Sequence, residues 1–210
     1  MKKTISIIAI CVCCLLLIAC AQTSALSDSE VAARRVDYPL LEKPSTSILS
    51  STEIDRSTFN RVKESYREEQ CIAVVTVNSV ASYAIEESPA EGVAAQKMNR
   101  VFLNVHVDQI LAQQTGVQID ESITLFLGTR EKYGDQLDFA SGTKLLVAFN
   151  PPPEGVNFPE VEHFYGCITQ SAFYVTSDGY VLSLFDFPGT REMDGLSVES
   201  FRSKVKNVYR

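Results

Sequence analysis

An apolar run near the start of the chain limits how much of the sequence can belong to a folded domain. Residues 5–19 are interrupted only by Ser6, and Lys2 and Lys3 precede them. A membrane-spanning helix needs about 20 apolar residues, whereas a shorter run after a small positive segment is typical of a secretory signal peptide. We therefore expect residues 1–20 to be a signal peptide and the remaining chain to fold outside the cytoplasm.

The end of this run resembles the lipobox of bacterial lipoproteins. Leu17, Ile18 and Ala19 lead into Cys20, so a small residue precedes the expected cut and a thiol is available to accept a diacylglyceryl group. The resemblance implies lipidation at Cys20 and attachment to the outer face of the cell membrane or to an outer membrane. Two alternatives stay open: an uncleaved N-terminal anchor, and ordinary secretory cleavage after Ala25.

The charge of the expected mature chain argues against a nucleic-acid partner. Residues 1–20 carry two lysines and no acid, so 17 of the 19 basic residues remain against 26 acidic ones, a net charge of −9. Nucleic-acid binding depends mainly on Lys and Arg contacts to phosphates. The same negative charge disfavours attraction to anionic lipid, so the membrane contact is expected through the N-terminal diacylglycerol.

Two cysteines matter for the folded domain. Three of the six cysteines lie in the apolar run, and Cys20 is expected to carry lipid. Cys71 and Cys167 remain, and outside the cytoplasm they are expected to form one disulfide worth about 4–5 kcal/mol through loop closure. The alternative is a pair of reduced cysteines that pack as small apolar residues.

The chain divides into three expected segments. Residues 1–20 form the signal peptide. Residues 21–52 are rich in Ser, Ala and Thr with little apolar periodicity, and they are expected to be a flexible spacer. Residues 53–210 offer enough apolar material for one folded domain.

Helical spacing marks both ends of that domain. Asp55 can cap a helix over about residues 56–69, and Ser197 can cap a second helix near the end of the chain. The expected apolar stripes are Phe59, Val62 and Tyr66 in the first helix, and Val198, Phe201, Val205 and Val208 in the second.

Between the helices, apolar residues alternate with a period of two. The predicted strands cover residues 72–83, 101–108, 123–127, 144–149, 173–176 and 180–184. The last two flank Ser177-Asp178-Gly179, a hairpin signal because Asp-Gly accepts the positive φ angles of tight turns. The pattern predicts a mainly β (α+β) fold, a small antiparallel β-barrel flanked by an N-terminal and a C-terminal helix.

Residues 70–150 resemble the OB-fold-like, netrin/TIMP-type barrels of secreted bacterial lipoproteins. The resemblance rests on strands at 74–77, 102–111 and 123–127 and on the Gly-Thr-Lys-apolar phrase within 141–149. It implies an OB-like barrel. Animal inhibitors of this shape present an N-terminal cysteine to a protease metal, but no cysteine of the mature chain lies in such a motif, so that activity is not carried over.

The sequence does not indicate a catalytic or metal-binding set. Cys167 and His163 are four residues apart and could face each other only in a helix, which Gly166 and the preceding Pro-rich loop disfavour. His106 is expected on the exposed face of its strand. Clusters of the kind that bind zinc, and oxygen ligands at EF-hand spacing, are not found in the sequence, so no cofactor is expected.

A loop rich in proline and aromatic residues is the best candidate for a partner contact. Its expected contact residues are Pro152, Phe158, Phe164 and Tyr165. Loops held by a rigid barrel commonly carry binding sites. The alternative is a capping loop whose aromatic side chains close one end of the barrel.

These observations favour a non-enzymatic, lipid-anchored extracytoplasmic module that binds an unknown envelope protein or small ligand. One alternative is a cell-surface hydrolase or thiol enzyme that uses Cys167 or Cys71 with His163. Another is a module that acts like a protease inhibitor.

Overall fold

The computed structural model describes residues 25–42, 71–87, 96–113, 118–130, 134–151, 158, 160–161, 163–167, 172–186 and 188–206. The helices are α1 (Asp28–Arg34), α2 (Pro188–Arg191) and α3 (Val198–Lys206), and a 3₁₀ turn covers Gly134–Leu137. The strands are β1 (Cys71–Glu87), β2 (Gln96–Gln113), β3 (Ser122–Thr129), β4 (Lys144–Asn150), β5 (Tyr165–Cys167), β6 (Phe173–Val175) and β7 (Val181–Ser183). The mainly β fold predicted from the alternating pattern is confirmed. Within the described ranges, every helix is too short or too polar to cross a membrane.

The strands form one sheet in the order β1-β2-β3-β5-β4-β6-β7, and β1 also pairs with β4. The β3–β5 pair is parallel, and the other pairs are antiparallel. β4 uses one edge for β1 and the other for two short strands, with Leu145 and Leu146 opposite β6 and Phe149 and Asn150 opposite β5. β4 therefore connects the long strands to the β6–β7 hairpin.

The strands enclose a core on one face and carry a second apolar layer on the other. The inner core includes Ala73, Val75 and Val77 of β1, Val101, Leu103 and Val105 of β2, Ile123, Leu125 and Leu127 of β3, and Leu145, Val147 and Phe149 of β4. The second layer includes Ile72, Val74, Leu146, Ala148 and Phe173 together with Phe201 and Val205 of α3. Strands buried on both faces carry continuous apolar runs, which explains the sequence at 72–75 and 145–149.

Two local predictions are confirmed. The Ser177-Asp178-Gly179 hairpin joins β6 to β7, with Phe173 opposite Ser183, and Gly179 adopts φ +83° as the turn requires. Ser197 caps α3, because its Oγ accepts a hydrogen bond from the Ser200 backbone amide at 3.2 Å.

Residues 25–42 depart from the expected flexible spacer, and we call this segment the strap. It contains α1, whose first turn is a capping box: Ser27 accepts from the Glu30 amide and the Glu30 carboxylate accepts from the Ser27 amide. A seven-residue helix is too short to be stable alone. The strap is ordered because both of its ends bond to the domain, through Leu26 to Gly195 and Leu41 to Leu184.

The signal peptide, the lipidation at Cys20 and the helix expected over residues 56–69 lie outside the described residues. Val208 of the expected C-terminal stripe and Pro152 of the expected partner loop lie outside them as well.

Candidate functional site

A buried ion pair attaches the strap to β7. Arg35 Nη2 contacts Asp194 Oδ2, and only 16% and 6% of the two side chains are exposed. Arg35 Nη1 also donates to the Ser183 carbonyl at 2.8 Å, and Asp194 Oδ1 accepts from the Ser183 amide at 2.6 Å. A guanidinium bonded to a carboxylate and a carbonyl at once is held in one orientation. The strap is thereby fixed beside the β6–β7 hairpin.

Beyond Arg35, the strap places an aromatic side chain over β6. The Tyr38 ring packs against the Tyr174 ring with centroids 5.6 Å apart. Leu41 then pairs with Phe185, and its amide donates to the Leu184 carbonyl at 2.7 Å. The strap therefore runs along the edge of the β6–β7 hairpin, and Tyr38 faces the domain.

A cleft of about 640 Å³ opens between the strap, the segment around the 3₁₀ turn, and strands β4 and β6. Its lining includes buried Tyr174 and half-buried Tyr38 and Phe139. The Phe139 and Tyr174 centroids are 6.3 Å apart. Polar lining residues include Gln136, Thr143 and Ser177. Its volume lies within the range of pockets that bind small molecules, roughly 300–1,000 Å³.

Two of the charged residues that line the cleft, Asp138 and Lys144, are paired within the chain. Arg130 contacts Asp138 through two bonds of 2.7 and 3.0 Å, and it reaches Asp135 at 2.8 Å. The Arg130 hydrogen bond lowers the pKa of Asp138, so this carboxylate stays charged at neutral pH. Burial raises the pKa of Tyr174, so its phenol stays neutral. Lys144 contacts Asp108 at 3.3 Å.

Such a cleft can hold a flat, largely apolar ring. Aromatic side chains offer large contact areas with little loss of conformational freedom, and the rim supplies hydroxyl and amide groups for orientation. The sequence analysis did not predict this site. The signal that could have pointed to it is the capping box at Ser27 and Glu30, which marks order in a segment with little apolar periodicity.

The expected disulfide between Cys71 and Cys167 is corrected by the structure, in which both residues carry thiols. Cys71 lies opposite Phe149 in the β1–β4 pair, and Phe149 lies opposite Cys167 in the β4–β5 pair. Two strand spacings separate the cysteines by roughly 9–10 Å, whereas a disulfide needs Cα atoms within about 7 Å. Cys71 lies in the inner core, and half-buried Cys167 packs against it.

The proposed thiol chemistry also lacks its required geometry. Residues 165–167 form the extended strand β5, so the helical turn that would bring His163 and Cys167 face to face is not formed there. Burial raises the pKa of Cys71 to about 12, which keeps its thiol protonated at neutral pH. His106 is exposed on β2, as predicted.

The aromatic residues of the expected partner loop are mostly buried. Phe158 and Phe164 are each 6% exposed and pack with Phe102 of β2 at 5.3 and 5.9 Å between centroids. Arg100 lies over the Phe158 ring at 4.7 Å. Half-buried Tyr165 packs on Phe149. The two phenylalanines therefore belong to a packed layer and do not form an exposed docking surface.

This packed layer differs in position from the barrel-end cap considered above. Leu103 of β2 and Leu125 of β3 lie in the inner core. Phe102 and Phe126 project from the same two strands on the opposite face. Phe158 and Phe164 cover that outer face. Alternation along a strand fixes which face each side chain occupies, but not which loop covers it.

Across the described ranges, no group of three or more His, Cys, Asp or Glu side chains is arranged to hold a metal ion. Comparison of the chain with protein-family models, curated proteins and solved structures gives no match.

Proposed function

We propose that this protein is a lipid-anchored, extracytoplasmic binding protein whose ligand occupies the cleft between the strap and β6. The proposal depends most on one observation: Tyr38 and Phe139 both pack on Tyr174, and the three rings line an open cleft of about 640 Å³. The expected ligand is small and presents a ring face to these aromatic side chains.

The proposed scaffold is an OB-like barrel. Its support is the set of strand pairings, since moving from β1 through β2, β3, β5 and β4 leads back to β1 by pairing alone. Pairing of this kind covers both edges of β1 over residues 71–76 and both edges of β2 over residues 100–106. A barrel of five mutually paired strands would hold Thr143 and Lys144 at the start of β4 in fixed positions beside the cleft.

The charges and thiols near the core support binding over catalysis. Asp138 is held as a carboxylate by Arg130, and the raised pKa of Cys71 leaves little thiolate to act as a nucleophile. The envelope location is supported by the sequence of residues 1–20, where an apolar run ends in the lipobox-like Leu17–Cys20.

Two measurements test the proposal. Intact mass of the protein from its native membrane should show loss of the leader and a diacylglyceryl group on Cys20. Ligand-observed NMR with a panel of single-ring aromatic compounds should then give compounds that bind in the millimolar range or tighter.

The binding test uses a matched pair of variants. Phe139→Ala removes a half-buried cleft ring and should abolish the NMR signal of the bound compounds. Tyr83→Ala removes a half-buried ring from the outer aromatic layer and should leave that signal intact. Equal loss in both variants, equal retention in both, or a panel without binders would refute the cleft as the ligand site.

A further inference from the structure

The strap is joined to the folded domain from its first described residue. Ala25 pairs with Leu196, and the Leu26 amide donates to the Gly195 carbonyl at 2.8 Å. The contact is close: a Cβ added to Gly195 would lie 2.8 Å from Val31 Cγ2 and 3.1 Å from Leu26 Cβ. The chain therefore meets the domain surface at Ala25, well before the first strand begins.

Ala25 follows Cys20 by only five residues. A fully extended chain advances at most about 3.6 Å per residue, so Cys20 must lie within about 18 Å of Ala25 whatever path the intervening residues take. If the strap were not bonded to the domain, the next described residue that belongs to it would be Cys71, 51 residues after Cys20. The strap thus sets the maximum distance between the domain and an anchor at Cys20.

We propose that the strap holds the domain within about 18 Å of the membrane that carries its acyl chains, with the face around Ala25, Gly195 and Leu196 towards the lipid headgroups. This inference rests on the proposed lipidation of Cys20. Its partner is the surface of the bilayer itself.

Charge defines the kind of lipid contact. Asp28 and Glu30 are exposed on α1, next to the point where the chain would leave for the anchor. Arg34, at the other end of α1, is bonded to Asp178. The exposed carboxylates give this end of the strap no attraction for anionic headgroups, so the covalent anchor and the short tether hold the domain at the bilayer. Zwitterionic phosphatidylcholine is therefore sufficient for the contact.

The test measures the height of the domain above a bilayer. Lipidated protein is reconstituted into a supported phosphatidylcholine bilayer, and neutron reflectometry measures the solvent layer between headgroups and protein. The expected layer in the unmodified protein is no thicker than about 18 Å.

Two insertions separate a bonded strap from an unbonded one. About 20 Gly and Ser residues inserted between Thr23 and Ser24 lengthen the tether before the strap and should thicken the solvent layer. The same insertion between Glu42 and Lys43 lies after the strap and should leave the layer unchanged. Neither insertion alters a described contact, so both variants keep the folded domain.

Each outcome has one meaning. The inference is wrong if the solvent layer thickens equally with both insertions, or if it exceeds about 18 Å in the unmodified protein. If Cys20 is acylated in the same sample, the proposed anchoring still stands. A mass that lacks acyl groups on Cys20 overturns the proposed anchoring, and the inference with it.

Discussion

Arg35 and Asp194 form an ion pair that joins the strap to the domain across 159 residues of sequence, with both side chains largely removed from solvent. Removing one partner of such a pair leaves the other charge buried, which is more damaging than losing an exposed pair. The contact is therefore the most informative place to perturb the strap.

Arg35→Ala should lower the free energy of unfolding by about 2–3 kcal/mol, because Asp194 then keeps, among the described residues, the Ser183 amide and Arg191 as partners. Urea unfolding followed by circular dichroism measures the change. The control is Arg34→Ala, which removes the more exposed pair with Asp178 and should have a much smaller effect. Equal destabilisation by the two variants would show that the Arg35 contact is not specially buried.

Gly195→Ala should destabilise the protein more than Gly142→Ala. Both glycines have positive φ, +78° and +88°, so each substitution should cost about 1–2 kcal/mol in backbone strain. Only at Gly195 would the added Cβ also collide with Val31. Chemical denaturation of the two variants compares them directly. If the strap packs as described, Val31→Ala should recover part of the Gly195→Ala loss, and additive losses would contradict the contact.

Phe102→Ala should reduce stability by about 3–5 kcal/mol, since its fully buried ring contacts Phe126, Phe158 and Phe164. Urea unfolding measures the loss. Tyr83→Phe, which keeps the ring at the margin of the same layer, serves as the control and should remain close to the unsubstituted protein. A small effect of Phe102→Ala would mean that this layer is not packed in solution.

Stability should fall in acid partly through Asp138. Its pKa is lowered in the folded state by the Arg130 hydrogen bond, so the unfolded chain binds protons more readily than the native one. The stabilisation is complete above the unfolded pKa of about 3.9 and is lost as the pH falls through the lower folded value. Unfolding free energies measured between about pH 5 and pH 2 should decline less steeply in Asp138→Asn and in Arg130→Gln. A slope equal to that of the unsubstituted protein in both variants would contradict the role of this pair.

Thiol reactivity distinguishes the observed cysteines from the expected disulfide. Without reductant, Cys71 should resist iodoacetamide in the native protein at about pH 8 because its thiol is buried and protonated, and both Cys71 and Cys167 should react once the protein is unfolded. Peptide mass spectrometry reads out both sites. If alkylation in the unfolded protein required prior reduction, the two residues would be disulfide-bonded after all.

The strands, the hairpin and helix α3 could be predicted because their determinants are local. Alternation places Leu103 and Val105 on one face whatever strands lie beside them, and Asp178-Gly179 specifies its turn without outside help. The pairing of β3 with β5 could not be predicted in this way, because it joins segments far apart in sequence.

The cleft could not be predicted, for the same physical reason. Tyr38 lies in a segment with little apolar periodicity, and long-range contacts of the strap, among them Arg35 with Asp194 and Leu41 with Leu184, place it against Tyr174. From the sequence, Phe158 and Phe164 are expected to be exposed loop residues. They are buried because they pack on Phe102 at the outer face of β2. Long-range polar contacts leave no periodic trace in a sequence.

The position of Tyr38 also bears on how the protein should be cut for study. A recombinant chain that begins at residue 53, where the composition changes, would lack one wall of the cleft and would leave Asp194 without its strap partner. A chain that begins just before Ala25 keeps both. The smallest unit that keeps the cleft whole therefore starts within the stretch that looks most dispensable.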